Sequence, residues 1–202
     1  MNCTLEYIDN WLKANLNEER YRHSLGTADM VRELAKQFGE DAEKAYFAGL
    51  IHDCAKCLSK DETKKILSQM VLEEGEIDSP KTHHAPAGAY VARKEYGVED
   101  EEILSAIRWH TIGKIGMTTF EKIIYIADKI EERTRPDEYA NPIREALNGE
   151  NGLDAAMLVS YEQTIKSLVD RRLRICTQTI DIYNDLLEKM QNLSAVGENR
   201  IS

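Results

Sequence analysis

The chain has 202 residues, 42% of them apolar, which is enough for one well-packed core and short of the length that usually forces a second. A formal net charge of −10 excludes a protein that wraps duplex nucleic acid on a broad basic face; a small phosphate ligand stays possible, because a bound divalent cation and a few local Lys or Arg side chains can offset the global field. No apolar run approaches the ~20 residues of a membrane span and no basic segment followed by an apolar one opens the chain. The four cysteines are too few for a disulfide scaffold, so a soluble protein of the reducing cytoplasm is expected.

In chain order, Leu25, Ala28, Val31, Leu34, Ala35 and Phe38 recur at helical spacing and stop at Gly39. Ala45, Ala48 and Ile51, with Leu50 beside them, predict a second helix whose acidic start suits the positive end of the helix dipole and whose far end carries His52 and Asp53. Asp61 to Met70 reads as a short helix capped by Ser59 or Asp61, with Glu62 in the capping-box position after Ser59, and Glu73 to Pro80 reads as a loop. Helical spacing resumes from Ala85 to Tyr96, where Ala87, Gly88 and Ala89 allow close packing, and again from Glu99 to Trp109, which ends at His110. After a Gly-containing loop, Phe120, Ile123, Ile124, Ala127 and Ile130 mark the helix that delivers Asp128. Asp154 to Leu193 is amphipathic with a charged interruption at 170–174, and residues 194–202 are expected to be a frayed tail. Strand-like alternation nowhere persists, so the expected fold is all-α, a single-domain helical bundle over residues 1–193 that aims side chains from several helices into one site.

A single histidine in a helical protein is usually a packed or solvated residue. His52-Asp53 is different, because it follows the apolar run AYFAGLI, where a carboxylate beside an imidazole costs several kcal/mol unless something compensates it. A divalent cation supplies that compensation, and imidazole with carboxylate suits Fe, Mn, Zn or similar ions. Asp128 repeats the anomaly inside IIYIADKI; the ordinary alternative is a salt bridge to Lys129 or Arg108.

His23, His52-Asp53 and Asp128 in this order make an H…HD…D signature, and the sequence there resembles the HD-domain metal-dependent phosphohydrolase superfamily. RYRHSLGTA, AGLIHDCAK, HHAPAGAYVA, AIRWHTIGKIGMT and EKIIYIADKIE are similar, in order, to the motifs of its YqeK family of symmetrical bis(5'-nucleosyl)-tetraphosphatases, from about Leu5 to Leu187. The resemblance implies that His23, His52, Asp53 and Asp128 bind a first metal, usually iron, with Mn or Co as substitutes, and that Asp53 can bridge to a second. His84 and His110 would then hold a second ion or a substrate phosphate; His83 is the weaker candidate. The implied reaction is hydrolysis of diadenosine tetraphosphate to two ADP molecules, with water activated by a cation that lowers its pKa from ~15.7 toward ~7.

Lys56 returns toward the face of Asp53 if a helical turn continues, which makes it, with His84 and His110, a candidate catalytic group as well as a phosphate contact. Arg20, Cys57 and Thr111 join the candidate substrate contacts. Where the family has Glu-Pro-x-Arg after Asp128, this chain reads Glu131-Glu132-Arg133-Thr134-Arg135, and either Arg133 or Arg135 takes the phosphate role. Arg171 and Arg172 lie in a segment that corresponds to the family's nucleoside-contacting region. Cys54 and Cys57 form a CxxC with no second pair and no thioredoxin-like surroundings, so it is read as incidental. Two other readings remain: an HD phosphohydrolase of nucleotide monophosphates or guanosine alarmones, which the HAP and HTIGK motifs disfavour, and a non-catalytic nucleotide sensor, which the complete ligand set disfavours. The expected partner is a small-molecule nucleotide, with no nucleic acid and no membrane, and a homodimer is left open.

Overall fold

Helix starts are set in this chain by side chains that accept hydrogen bonds from the otherwise unpaired first-turn amides. Thr4, Asn17, Asp41, Ser59, Asp100 and Thr118 each cap a helix this way, Ser59 and Thr118 in full capping boxes with Glu62 and Glu121. The computed structural model describes residues 4–78 and 80–198. Within them the order is α1 (Leu5–Asn15), α2 (Glu18–Phe38), α3 (Ala42–Ile51), α4 (Lys60–Leu67), α5 (Glu74–Asp78), α6 (His84–Glu95), α7 (Glu101–Trp109), α8 (Thr119–Ile130), α9 (Asp137–Leu147), α10 (Gly152–Asp170) and α11 (Thr177–Glu198), with 3-10 turns at Cys54–Cys57 and Pro80–Thr82. No strand occurs among the described residues, as the all-α expectation requires.

Several boundaries depart from the sequence reading for local reasons. α2 begins at Glu18, well before the apolar stripe, because Asn17 caps it and Glu18 and Glu19 sit at its positive end. The expected loop at 73–80 contains α5, whose first turn is closed by Glu76 Oε2 accepting from the Glu73 amide at 2.8 Å; Ser79 lies outside the described residues. α9 has no counterpart in the periodicity reading, and it keeps Pro142 inside the helix. The long C-terminal segment is two helices, broken where Arg172 adopts a left-handed φ of 53°. α11 continues to Glu198, into the segment expected to fray, while residues 199–202 lie outside the described residues.

The core is built around α8, of which Phe120, Ile123, Ile124, Ile126, Ala127 and Ile130 are each 1% exposed or less. α2 and α7 pack on one side of it and α9 and α10 on another, with α3 laid against α2 and α6 against α7. α2 and α3 approach closely at Gly49, where a Cβ would stand 3.0 Å from the Ala28 Cα. That approach carries the end of α3, and with it His52 and Asp53, against the N-terminal half of α2, where His23 sits.

Candidate metal centre

His52 and His110 occupy equivalent places: each is the residue at which a buried helix ends, α3 and α7 respectively. The last carbonyls of a helix have no partner within it, and here each imidazole supplies one. His52 Nδ1 donates to the Gly49 carbonyl at 2.6 Å and His110 Nδ1 to the Ile107 carbonyl at 2.7 Å. His84, at the first residue of α6, repeats the geometry with the Lys81 carbonyl at 3.2 Å. A ring that donates from Nδ1 keeps its lone pair on Nε2, so backbone contacts leave three Nε2 atoms free to face inward.

His23 reaches the same state by another route. It lies within α2, and its Nδ1 donates to Glu131 Oε1 at 3.0 Å. Glu131 is buried just past the end of α8 and also accepts from the amides of Arg133 and Thr134, at 2.7 and 3.1 Å, and from the Thr134 hydroxyl. Burial pushes the Glu131 carboxyl up, but these donors outweigh it and hold it at about 2. Nothing in the sequence reading gave Glu131 a role; the available signal was an acid closing an otherwise apolar helix.

The four Nε2 atoms converge on two buried carboxylates. Asp53 Oδ2 lies 3.7 Å from His23 Nε2 and 3.5 Å from His52 Nε2, while Oδ1 lies 3.5 Å from His84 Nε2 and 3.3 Å from His110 Nε2. Asp128 Oδ1 stands 2.9 Å from His23 Nε2 and 3.6 Å from His52 Nε2. Two groups of potential ligands result, His23 with His52 and Asp53, and Asp53 with His84 and His110, and Asp53 belongs to both. His52 Nε2, His110 Nε2 and both Asp53 oxygens are buried without a well-directed hydrogen bond, although Lys56 Nζ stands 2.6 Å from Asp53 Oδ2. Buried polar atoms left unpaired cost ~1–3 kcal/mol each, more for charged groups, and a divalent cation in each of the two groups would satisfy all four atoms. The donor set, imidazole nitrogen and carboxylate oxygen with no thiolate, fits a divalent metal.

The two carboxylates draw positive charge to this point: burial pushes His52 down, yet the Asp53 and Asp128 charges carry it up to about 9, so a cation that takes up its Nε2 does so in place of a proton. Burial raises Asp53 and Asp128, but His52, His110 and Lys56 around the first, and Lys129, Arg135 and His23 around the second, hold both carboxyls well below the usual range. His84 goes the other way: burial, His110 and Lys56 press it down to about 3, so it stays a neutral donor.

Around this cluster the structure sorts the remaining candidates. Arg135 Nη2 contacts Asp128 Oδ1 at 2.6 Å and its Nε the Asp128 carbonyl at 2.6 Å, whereas Arg133 turns outward to Asp29. Lys129 pairs with Asp128 at 2.5 Å, so part of the salt-bridge alternative for Asp128 exists beside the metal geometry; Arg108 instead pairs with Glu76. Arg20 Nη1 donates to the Lys56 carbonyl at 2.5 Å and steadies the turn that carries Lys56. Thr111 Oγ1 meets His84 Nε2 at 3.3 Å, while His83 Nε2 engages the Glu76 carbonyl at 2.9 Å, away from the cluster. Cys57 Sγ donates to the Cys54 carbonyl at 3.3 Å, and burial raises both thiols. Beside Thr111 opens a cavity of about 480 Å³ lined by Tyr125, Lys129, Tyr161, Leu173 and Arg174, with Tyr125 and Tyr161 stacked at 5.6 Å. Arg171 and Arg172 are exposed at the end of α10, next to this wall but not in it.

A family model described as HD domain matches residues 20–133, the stretch that contains His23, His52, Asp53, His84, His110 and Asp128, and this defines the class. A crystal structure from Clostridium acetobutylicum, of a predicted HD superfamily hydrolase involved in NAD metabolism, superposes with a TM-score of 0.85 at 38% identity, over 92% of this chain and 98% of that one. The chain is 38% identical over 177 residues to a Bacillus subtilis protein named bis(5'-nucleosyl)-tetraphosphatase, symmetrical, covering 87% of this chain and 94% of that protein. A Staphylococcus aureus protein of the same name is 34% identical, over 85% of this chain and 89% of its own length. The chain therefore belongs, within the HD domain, to the family of symmetrical bis(5'-nucleosyl)-tetraphosphatases.

Proposed function

We propose that the protein is a metal-dependent hydrolase that cleaves diadenosine tetraphosphate symmetrically into two ADP molecules. The observation that carries the proposal is the convergence of four imidazole Nε2 atoms on Asp53 and Asp128, in a chain whose relatives carry that enzyme's name. His23, His52, Asp53 and Asp128 are assigned to one ion, and His84 and His110 to a second ion, or to a substrate phosphate, on the other oxygen of Asp53. Iron is proposed as the first ion, with manganese or cobalt able to replace it. A bound divalent ion supplies an activated water and polarises a phosphoryl oxygen.

The chain's own residues do the rest. Lys56 and Arg135 bring positive charge to the carboxylate cluster, where a tetraphosphate must approach a chain of net charge −10. Arg20 fixes Lys56 through its carbonyl, and Thr111 presents a hydroxyl at the mouth of the 480 Å³ cavity. That cavity, with its stacked tyrosines and Arg174, is of a size to hold one nucleoside, and its wall runs through Leu173 and Arg174 rather than through the outward-facing Arg171 and Arg172. No helix among the described residues is long and apolar enough to cross a membrane.

The test is to purify the protein, measure bound metal, and follow product from diadenosine tetraphosphate. ADP is expected as the sole nucleotide product, and His52→Ala and Asp53→Ala are each expected to abolish its formation and lower metal content. Free phosphate from monophosphates, or pyrophosphate from alarmones, would move the substrate elsewhere in the superfamily.

A further inference from the structure

A second and larger cavity, about 760 Å³, has His84 in its lining and adjoins the one assigned to a nucleoside. The two share Pro80 and Lys81 as a common wall, and His84 with Thr111 stands between them, its Nε2 3.3 Å from the Thr111 hydroxyl. The floor of the larger cavity is apolar, made by Leu58, Leu67 and Leu72. Its rim carries Lys60, Lys64 and Lys81, all exposed, and Lys56 and His84 close its inner end at the metal centre. No acidic side chain among the described residues lines it, and none of the three rim lysines has a carboxylate partner among them, in a chain with 36 acids against 26 basic residues.

Charge repulsion among unpaired lysines around an apolar floor is a liability unless an anion settles there. Asp53 and Asp128, the acids on which the imidazoles converge, already have their own cations in Lys56, Lys129 and Arg135. A nucleotide meets both halves of this surface: a flat base for the leucines and a phosphate tail for the ammonium groups, which act as point charges on phosphate. Resting on the proposed reaction, we infer that this lysine-rimmed cavity binds the second nucleoside of the dinucleoside tetraphosphate. The substrate then spans the metal centre with one adenosine on each side, and two ADP molecules leave from two separate cavities.

Two variants test this without touching a residue of the metal cluster. Lys60→Glu combined with Lys64→Glu reverses the rim charge, and Thr63→Trp, on the same face of α4, fills the cavity. Calorimetric titration of the manganese-loaded protein with ADP is expected to show two sites per chain in the parent and one in either variant. The KM for diadenosine tetraphosphate is expected to rise about tenfold in both. One ADP site in the parent, with variant KM values within twofold of it, would overturn the inference. The proposed reaction fails by a different sign: if the parent forms no ADP from diadenosine tetraphosphate, that reading falls, while the titration still reports on the cavity.

Discussion

Glu131 shows how much a single side chain away from the carboxylate cluster can decide. Its carboxylate fixes which nitrogen of His23 carries the proton, and partners of this kind typically change metal affinity 10–100-fold when lost. Glu131→Gln is therefore expected to weaken metal binding by that factor and, because the donors around the ionised carboxyl also stabilise the fold, to lower the melting temperature of the stripped protein at pH 7; titration with manganese and thermal melting check the two effects separately. Gly26 gives a second handle on the same contact, because a Cβ there would collide with Glu131 Oε2. Gly26→Ala should displace the carboxylate and reproduce the loss of affinity with Glu131 intact. At this scale the sequence was partly legible. Asp53 and Asp128 announced themselves as charges inside apolar runs, whereas the role of Glu131 depends on a contact between the end of α8 and α2 whose partners, Glu131 and His23, lie 108 positions apart. The choice between Arg133 and Arg135 was equally out of reach, since both fit the spacing and only the surface pairing with Asp29 removes the first.

Among the elements, α7 sets His110 and α6 sets His84, so what anchors these helices bears on the centre. Asp100 caps α7 by accepting from the amides of Glu102 and Ile103 at 2.9 and 3.3 Å, and it also pairs with Lys44 on α3 at 2.7 Å. Burial raises its carboxyl, but Lys44 and the two amides outweigh that and lower it below its ordinary value. A carboxyl lowered in the folded state adds stability above its unfolded pKa and loses it as pH falls through the folded value. Asp100→Ala is expected to cost about 1 kcal/mol at pH 7, and urea unfolding should show the gap from the parent closing below about pH 4. Arg108 on α7 grips the buried Glu76 with Nε and Nη2 at 2.8 and 2.6 Å and the Val71 carbonyl at 2.9 Å, tying down α5 ahead of His84. Arg108→Ala leaves Glu76 buried without its partner, and hydrogen exchange in residues 71–83 should accelerate well before that in α8. The short α5 and the proline-bearing α9 escaped the periodicity reading because neither offers the long uninterrupted apolar stripe on which that reading depends.

For the molecule as a whole, the candidate ligands come from α2, the end of α3, α6, the end of α7 and α8, so one or two ions tie together most of the elements that pack on α8. Metal that binds only the folded chain at about 100 times its Kd adds ~2.7 kcal/mol, which for a chain of this size raises Tm by about 5–10 °C. Manganese should produce that shift after chelation, and Asp53→Ala should abolish it. The all-α class was readable because helical periodicity is local; which helices share one centre was not, because that is a property of their packing. The i−3 carbonyls that hold the Nδ1 protons of His52, His84 and His110 belong to the turns immediately preceding those residues. The turns that end α3 and α7 therefore aim the rings as well as close the helices, so a substitution that loosens either last turn should be felt at the candidate metal centre before it is felt in the core.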